Sequence, residues 1–272
     1  MKKIVKAVEK RKQEFGGLGG VAGYGIPARG GNLPDLEINR VSLQEDVLRK
    51  NKVLFGDQME AATMAYNMLR TQVYKKMTSN GWTALAVTSA NKGEGKSLTA
   101  LNLALSLSRS VQQTVILVDL DLRRPSIQKK LNISPAYGMS DYFTGDAPLA
   151  SVMFKPEQSN LIVLPGRESL DNASELLASP KTAQLFSELK NCFPSRIVVL
   201  DLPPILLVDD VMVIADYVDC SLLVVSEGSS KKEELHQATE LLEGANVLGT
   251  VLNNSRSSVS GGSYDYYYGS DY

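Results

Sequence analysis

The 272-residue sequence has few of the residues that build disulfide frameworks or metal clusters. Its two cysteines, Cys192 and Cys220, lie far apart without Cys-x-x-Cys spacing, and its single histidine is His236. These counts argue against a disulfide-stapled secreted domain and against a zinc site. His236 stands alone in a Lys/Glu-rich helical pattern, so we predict a surface residue rather than a member of a nucleophilic triad.

Long apolar runs and an excess of charge of one sign are also lacking. The sequence has no apolar run of about 18 residues and no signal-peptide pattern. Its 29 Lys and Arg residues against 30 Asp and Glu residues give a net charge of -1. Such a balance supplies no general field for nucleic acid or for an acidic membrane surface. We therefore expect a cytoplasmic protein without a nucleic-acid partner, which reaches the inner face of the cell membrane only by recruitment.

The chain nevertheless holds enough apolar material, 43% of its residues, for one large domain with tails. Residues 1–14 read as a short basic amphipathic helix, which is either solvated or docked to a partner or an acidic lipid surface. Residues 15–56 read as a flexible glycine-rich linker and leading segment. We assign residues 57–256 to the folded domain and residues 257–272 to a disordered tyrosine-rich tail.

Within the folded domain, apolar strand-like runs alternate with helical patterns. A helix is predicted at about 58–77, and further helices at 97–108, 182–192 and 231–243. Strands are predicted at 83–88, 114–120, 161–164, 196–202, 221–226 and 247–252. Because these runs are apolar throughout and rich in Val, Ile and Leu, they indicate strands covered on both faces. The predicted fold is a doubly wound, mainly parallel α/β sheet.

A glycine-rich loop joins the first of these strands to the helix at 97–108. Gly93 and Gly95 let the backbone N–H groups approach phosphates, Lys96 supplies charge, and the Ser97 hydroxyl is placed to bind Mg²⁺. The usual first glycine of the phosphate-loop motif is Ala90, so this is a variant form of a P-loop NTPase loop. A plain glycine turn is the alternative. The residues assigned to nucleotide binding are Ala90, Asn91, Lys92, Gly93, Glu94, Gly95, Lys96, Ser97 and Leu98.

Carboxylates end two of the predicted strands. Asp119 and Asp121 close the strand at 114–120, and Asp201 lies near the end of the next long run, before Pro203-Pro204. An Asp at the end of an apolar strand is costly to bury unless it is solvated, paired or near a metal. Strand-end capping explains either one alone. Together with the glycine-rich loop, the carboxylates favour a site for ATP and Mg²⁺ at the carboxyl edge of the sheet.

The motif order A-x-x-G-x-G-K-S, D-x-D-x-R-x-P and D-x-P-P resembles that of the bacterial tyrosine kinases, the autokinases of exopolysaccharide and capsule export. The resemblance extends over about residues 58–272 and includes the stretches at 172–177 and 249–253. It implies that Lys96 contacts the β and γ phosphates and that Asp119 takes the tyrosine proton. It also implies Mg²⁺ ligation by Ser97, Asp121 and Asp201, directly or through water.

The resemblance further places Asn253 in the nucleotide site and lets Arg123 and Arg124 engage phosphate or neighbouring subunits. The residues alone do not separate the role of Asp119 from that of Asp121. The resemblance to the bacterial tyrosine kinases also implies three kinds of partner. They are a membrane activator of the polysaccharide chain-length-regulator type, a tyrosine phosphatase, and further copies of the chain through tail exchange.

The sequence departs from the family pattern at three places. The E-x-x-R-x-x-R pattern used in ring assembly is reduced to Met64, Asn67 and Arg70, so ring formation through that contact is in doubt. Lys92 replaces a common proline, and Leu202 replaces a common threonine or serine. None of these changes removes a catalytic group.

The last nine residues hold five of the eleven tyrosines. A flexible, tethered tyrosine has a high effective concentration at an active site of the same molecule or of a neighbour. We therefore predict these tyrosines to be phosphoacceptors, against the alternative of an unmodified low-complexity tail. They are Tyr264, Tyr266, Tyr267, Tyr268 and Tyr272.

Two other functions fit the same fold class. One is a switch ATPase of the partitioning or cell-division type, but its signature lysine, five places before Lys96, is Asn91 here. The other is a non-catalytic nucleotide-binding regulator of polysaccharide assembly, which phosphotransfer would exclude.

Overall fold

A computed structural model describes residues 38–55, 61–109, 111–157, 159–242 and 245–255. These residues form one eight-stranded sheet with the strand order β1-β4-β5-β3-β6-β2-β7-β8. All neighbouring strands are parallel except β4 and β5. The strands are β1 (Asn39–Val41), β2 (Ala84–Ser89), β3 (Thr114–Asp119), β4 (Phe154–Pro156), β5 (Leu161–Leu164), β6 (Arg196–Asp201), β7 (Cys220–Ser226) and β8 (Val247–Asn253).

Helices cover both faces of this sheet. They are α1 (Glu45–Lys50), α2 (Ala61–Asn80), α3 (Lys96–Ser108), α4 (Ile127–Leu131), α5 (Met139–Thr144), α6 (Leu149–Val152), α7 (Ala173–Leu177), α8 (Pro180–Cys192), α9 (Asp210–Ile214) and α10 (Lys232–Leu241). A short 3₁₀ turn at Ala215–Tyr217 follows α9. None of these helices within the described ranges is long and apolar enough to cross a membrane.

Alternation along the strands divides the apolar core into two layers. In β3, Val115 and Leu117 face the layer built with α1 to α4, whereas Ile116 and Val118 face the layer built with α5 to α10. Because both faces are buried, β3 is apolar at every position from Val115 to Val118. The continuous apolar runs of the sequence therefore have a structural cause.

The carboxyl ends of the central strands meet at one edge of the sheet. Asp119 at the end of β3 lies opposite Asp201 at the end of β6, and Asp201 lies opposite Val87 of β2. The Thr88 hydroxyl donates a 2.7 Å hydrogen bond to the Pro203 carbonyl and ties β2 to the chain after β6. This register brings the two aspartates beside the loop that follows β2.

The predicted doubly wound, mainly parallel α/β fold is confirmed. The six predicted strands correspond to β2, β3 and β5 to β8, with ends displaced by at most one residue. The four predicted helices correspond to α2, α3, α8 and α10. Strands β1 and β4 and the short helices were not predicted, because segments of three to six residues carry too little periodicity.

The domain boundaries proposed from the sequence stay predictions. The structure adds one observation, which concerns where the folded part of the chain begins. Residues 39–55 already contribute β1 and α1, and Leu48, Val53 and Phe55 are buried in the core. The folded part therefore begins before residue 57. The predicted helix at 1–14, the glycine-rich stretch, the helix start at 58–60 and the tail with its five tyrosines lie outside the described residues.

The two cysteines are free, and His236 is a surface residue as predicted. Its side chain is 75% exposed and lies 3.4 Å from Glu240, one helical turn later on α10.

Candidate active site

The glycine-rich loop turns the chain from β2 into α3 with two residues in the left-handed region. Gly93 has a φ of 84° and Gly95 a φ of 93°. A side chain is strained at such angles, which explains both glycines. Helix α3 begins at Lys96 directly after Gly95, so the first N–H groups of this 13-residue helix lie at the loop. The segment thus has the strand–loop–helix geometry that is typical of a phosphate-binding loop.

Gly95 is required for a second reason. A Cβ built there would lie 2.0 Å from the side-chain nitrogen of Asn253. That nitrogen donates a 2.8 Å hydrogen bond to the Glu94 carbonyl and so joins the end of β8 to the loop. The structure therefore brings Asn253 to the predicted nucleotide loop from more than 150 positions away in the sequence.

Glu94 and Asn91 fix the rest of the loop to the start of α10. The Glu94 carboxylate is buried and accepts hydrogen bonds from the Asn91 N–H at 3.1 Å and from the Ser230 hydroxyl. The Asn91 side chain donates to Glu234 at 2.9 Å. The loop conformation is thus held by contacts with neighbouring elements. Lys92 is exposed at its outer surface.

Lys96 connects the loop to the carboxylates of two strands. Its ammonium lies 2.7 Å from Asp121 Oδ2, 3.2 Å from Asp201 Oδ1 and 3.2 Å from the Ser97 hydroxyl. All four side chains are buried. Burial acts to lower the pKa of Lys96, but the negative charges of Asp201 and Asp121 outweigh it and raise that pKa. Lys96 therefore stays protonated at the centre of the site.

Asp119 occupies the same buried edge with only one of its oxygens engaged. Its Oδ2 accepts hydrogen bonds from the backbone N–H groups of Ser126 at 2.9 Å and Ile127 at 3.0 Å. Its Oδ1 is buried without a hydrogen-bond partner among the described residues. Burial, with the charge of Asp201, raises the pKa of Asp119 to about 7. A carboxylate that is fixed at one oxygen and free at the other suits a general base.

The site fits Mg²⁺ bound together with nucleotide phosphates. Asp201 Oδ2 is buried without a hydrogen-bond partner among the described residues, and burial raises the pKa of this carboxyl despite the nearby charge of Lys96. An unpaired buried carboxylate oxygen is costly unless a cation completes it. With Asp121 and the Ser97 hydroxyl, it offers the oxygen ligands that Mg²⁺ prefers.

The contacts of Arg123 differ from those of Lys96. Its guanidinium donates to Ser174 at 2.8 Å, to the Asp171 carbonyl at 3.0 Å and to the fully buried Asp210 at 3.3 Å. These contacts clamp the chain after β3 to α7 and α9. The Arg124 N–H donates to Asp121 Oδ1 at 3.0 Å, while its side chain is exposed.

Several residues of the site could not be found from the sequence. The Ser126 and Ile127 amides hold Asp119 through backbone atoms, which leave no side-chain motif. Ser230 contacts the loop from the turn before α10, and Glu234 contacts it from α10 itself. Lys130 lies on α4 within electrostatic range of Asp201 and Asp119, and nothing in its local sequence marked it.

Comparisons with known proteins identify the family of the chain. A comparison with protein-family models found no match. The tyrosine-protein kinase CpsD of Streptococcus agalactiae is 32% identical over 198 residues, which are 72% of this chain and 83% of CpsD. The solved kinase domain of Escherichia coli tyrosine kinase Etk superposes with a TM-score of 0.68 at 26% identity and covers 82% of this chain and 92% of that domain.

The fold is shared more widely than the family. The Pyrococcus furiosus cell division ATPase MinD superposes with a TM-score of 0.53 at 24% identity over 62% of this chain and 71% of its own, a likeness of fold alone. The likeness to CpsD goes further, because it combines higher identity with coverage of most of both chains. On this ground the chain belongs to the family of bacterial protein-tyrosine kinases.

Proposed function

We propose that the chain is an ATP- and Mg²⁺-dependent autokinase that phosphorylates its own C-terminal tyrosine cluster. The observation that carries the proposal is the convergence of Lys96, Asp119, Asp121 and Asp201 at the edge of the sheet where β8 also ends beside the loop. The tyrosines begin at Tyr264, eleven residues after β8 ends at Asn253.

Asp119 is the proposed base for the acceptor tyrosine. A phenol has an ordinary pKa of about 10 and needs a proton acceptor only as its bond to phosphorus forms. The free Oδ1 of Asp119 is available for that proton, while the Ser126 and Ile127 amides hold the side chain in place through Oδ2. A pKa of about 7 keeps a substantial fraction of Asp119 ionised near neutral pH.

Lys96, Ser97, Asp121 and Asp201 bind and orient the nucleotide in this account. Lys96, now paired with Asp121 and Asp201, has an ammonium that can exchange one of these partners for phosphate oxygens. Ser97, Asp121 and Asp201 would hold Mg²⁺, which neutralises charge on the transferring phosphoryl group when bound. Burial of these side chains excludes water and strengthens each interaction.

The tail can reach this site. Tyr264 lies ten residues after Asn254, and the chain spans at most about 3.3–3.6 Å per residue, so about 35 Å is available. The starting point is close, because the Asn253 side chain contacts the loop itself. The same tether serves a neighbouring copy, so tail exchange between subunits is part of the proposal.

The contact of Asn91 argues against a switch ATPase. In that class a lysine occupies the position of Asn91, whereas the Asn91 amide here is bound to Glu234 of the same chain. A tyrosine-rich tail also has no role in such a switch. ATP hydrolysis without any phosphotyrosine would favour this second function.

The biological setting is proposed from the relatives' names. CpsD is named a tyrosine-protein kinase, and the family resemblance points to control of exopolysaccharide or capsule synthesis or export. The chain would act in the cytoplasm, recruited to the inner face of the membrane by an activator of the chain-length-regulator type. A cognate phosphatase would reset the tail. Repulsion among tail phosphates, about 1.5–2 negative charges each, would loosen the assembled oligomer.

The first test is phosphotransfer by the purified chain with ATP and Mg²⁺, detected with a phosphotyrosine antibody. We expect a signal from the natural chain and none after replacement of the five tail tyrosines by phenylalanine. If that variant is labelled as strongly as the natural chain, the tail is not the acceptor. A parallel reaction contains the cytoplasmic segment of the membrane activator. If the kinase requires this activator, the phosphotyrosine signal should be stronger in that reaction.

A mixing experiment tests tail exchange. A chain with Lys96→Met supplies an intact tail, and a chain ending at residue 256 supplies an intact site. We expect phosphotyrosine on the Lys96→Met chain in the mixture and none in either protein alone. Absence of label in the mixture, beside normal labelling of the natural chain, would restrict the reaction to a chain's own tail.

A further inference from the structure

Two cations near the catalytic carboxylates make no side-chain hydrogen bond or ion pair with the other described residues. The side chains of Arg124 and Lys130 form no hydrogen bond or ion pair there, whereas Lys96 and Arg123 are each bound to carboxylates. A cationic side chain near an active site that is not bonded to a carboxylate can bind an anionic ligand.

Both residues lie close to the reacting groups. Arg124 follows Asp121 on the same turn, and its backbone N–H holds Asp121 Oδ1 at 3.0 Å. Lys130 lies on α4, whose first residue, Ile127, donates its N–H to Asp119. Burial lowers the pKa of Lys130. The charge of Asp201 acts against that change, the charge of Lys96 adds to it and the charge of Asp119 acts against it, so the Lys130 ammonium lies within electrostatic range of all three groups.

The phosphates of ATP already have partners in the glycine-rich loop. The loop amides and Lys96 contact them from the amino-terminal end of α3 in the account above. Arg124 and Lys130 belong instead to the segment that carries Asp119, the proposed base. We therefore expect an anionic group that binds there to belong to the peptide with the acceptor tyrosine rather than to the nucleotide.

The chain's own tail has the complementary charge. After Arg256 it contains no Lys or Arg, and it contains two acidic residues, Asp265 and Asp271. Asp265 separates Tyr264 from Tyr266, and Asp271 directly precedes Tyr272. A carboxylate adjacent to the acceptor thus lies within about 7 Å along an extended chain, a distance that long cationic side chains span.

The partial burial of Lys130 favours an extended peptide over a flat anionic surface as the ligand. Lys130 is only partly exposed, so a lipid headgroup layer could not reach it without contact of the whole loop, whereas an extended peptide that enters the site can.

We propose that Arg124 and Lys130 form an acidic-peptide recognition site that selects tyrosines flanked by carboxylates. The inference rests on the proposed kinase activity and adds the substrate preference of the site. Lys129 is the matched control, because it is an exposed lysine on the same helix, rotated by about 100° from Lys130.

The test compares two synthetic peptides as substrates of the full chain carrying phenylalanine at its five tail tyrosines. One peptide has the sequence of residues 263–272, and the other has asparagine in place of both aspartates. We expect a kcat/KM about 3- to 10-fold higher for the acidic peptide. This preference should shrink on raising the salt from about 0.05 to 0.5 M, because surface charges are screened.

In the variant with Arg124→Gln and Lys130→Gln, the ratio of the two kcat/KM values should fall to about 1. With Lys129→Gln, the ratio of the two kcat/KM values should stay the same as in the chain that carries only the five phenylalanine substitutions. Melting temperature and ATP binding verify that each variant is folded. A preference that persists in the double variant, or falls equally with Lys129→Gln, would overturn the proposal. Equal use of both peptides by the chain with only the five phenylalanine substitutions would also overturn it. Phosphorylation of neither peptide, while the natural chain labels its own tail, would overturn the proposal alone. Absence of label in both reactions would contradict the kinase activity itself.

Discussion

Lys96 and Asp121 form a buried ion pair, with 2.7 Å between the Lys96 ammonium and Asp121 Oδ2. The lysine belongs to the loop after β2 and the aspartate to the chain after β3, so the pair joins two elements that β6 separates in the sheet. Asp201 at the end of β6 completes the contact at 3.2 Å. The same lysine thus supports the unliganded structure and is the proposed ligand of the phosphates.

This double role predicts that Lys96→Met harms both stability and activity. The change leaves Asp121 and Asp201 buried without their counter-ion, which typically costs about 3 kcal/mol or more. We expect the melting temperature of the nucleotide-free protein to fall by about 5–10 °C and tail phosphorylation to fall by at least about 100-fold. Calorimetry and a labelling assay measure the two effects. Lys190→Met, at an exposed position of α8, is the control, and an unchanged melting temperature for Lys96→Met would contradict the buried pair.

Gly95→Ala should be more damaging than Gly93→Ala. Both positions have positive φ, so both substitutions add strain of about 1–2 kcal/mol. Only at position 95 does the new Cβ meet another group, the Asn253 side chain at 2.0 Å, while position 93 is open. We expect a larger loss of ATP affinity and of melting temperature for Gly95→Ala. Adding Asn253→Ala to Gly95→Ala should recover part of the melting temperature; equal effects at the two glycines would show that Asn253 is not in contact with the loop.

Asp119→Asn should stabilise the metal-free protein in a pH-dependent way. The folded-state pKa of Asp119, about 7, lies above its ordinary value of 3.8. Burial therefore costs nothing while the carboxyl is protonated, below about pH 4, and the cost grows as the pH rises toward 7.

The melting temperatures of Asp119→Asn and the natural chain, compared in EDTA, should coincide near pH 4 and differ by on the order of 5 °C at pH 8. Asp216→Asn, at an exposed position, serves as the control. A difference for Asp119→Asn that does not change with pH would refute the assignment.

Arg123 is expected to couple to Asp210. Asp210 is fully buried, and the Arg123 guanidinium lies 3.3 Å from its carboxylate with a side chain 32% exposed. A double-mutant cycle with Arg123→Gln and Asp210→Asn should show a coupling energy of about 1 kcal/mol in urea unfolding. Additive losses would mean that the contact between Arg123 and Asp210 adds no pairwise stabilisation.

Long buried strands made the central sheet predictable from the sequence. The continuous apolar runs of β2, β3, β6 and β7 identified both the strands and their parallel arrangement, because both faces are covered. β1 and β4 have three residues each, and their position at one side of the sheet follows from tertiary pairing. No local pattern of three residues specifies such pairing.

In the candidate site, too, some residues could be predicted from the sequence and others could not. Lys96, Ser97 and the three aspartates could be named because each follows an apolar run or a glycine turn with its own motif. The partners that tune them could not, since the Ser126 amide, Ser230 and Glu234 reach the site through the fold. Arg123 was expected to engage phosphate or a neighbouring subunit, and only the structure reveals its contacts with Ser174 and Asp210.

The most direct test of the account is mass spectrometry of the tail after incubation of the purified chain with ATP and Mg²⁺. The natural chain is measured beside Asp119→Asn and Lys96→Met, with the membrane activator's cytoplasmic segment present in each reaction. We predict phosphate on tyrosines between Tyr264 and Tyr272 in the natural chain and little or none in the two variants. A tail that stays unmodified while ATP is bound and hydrolysed would contradict the autokinase.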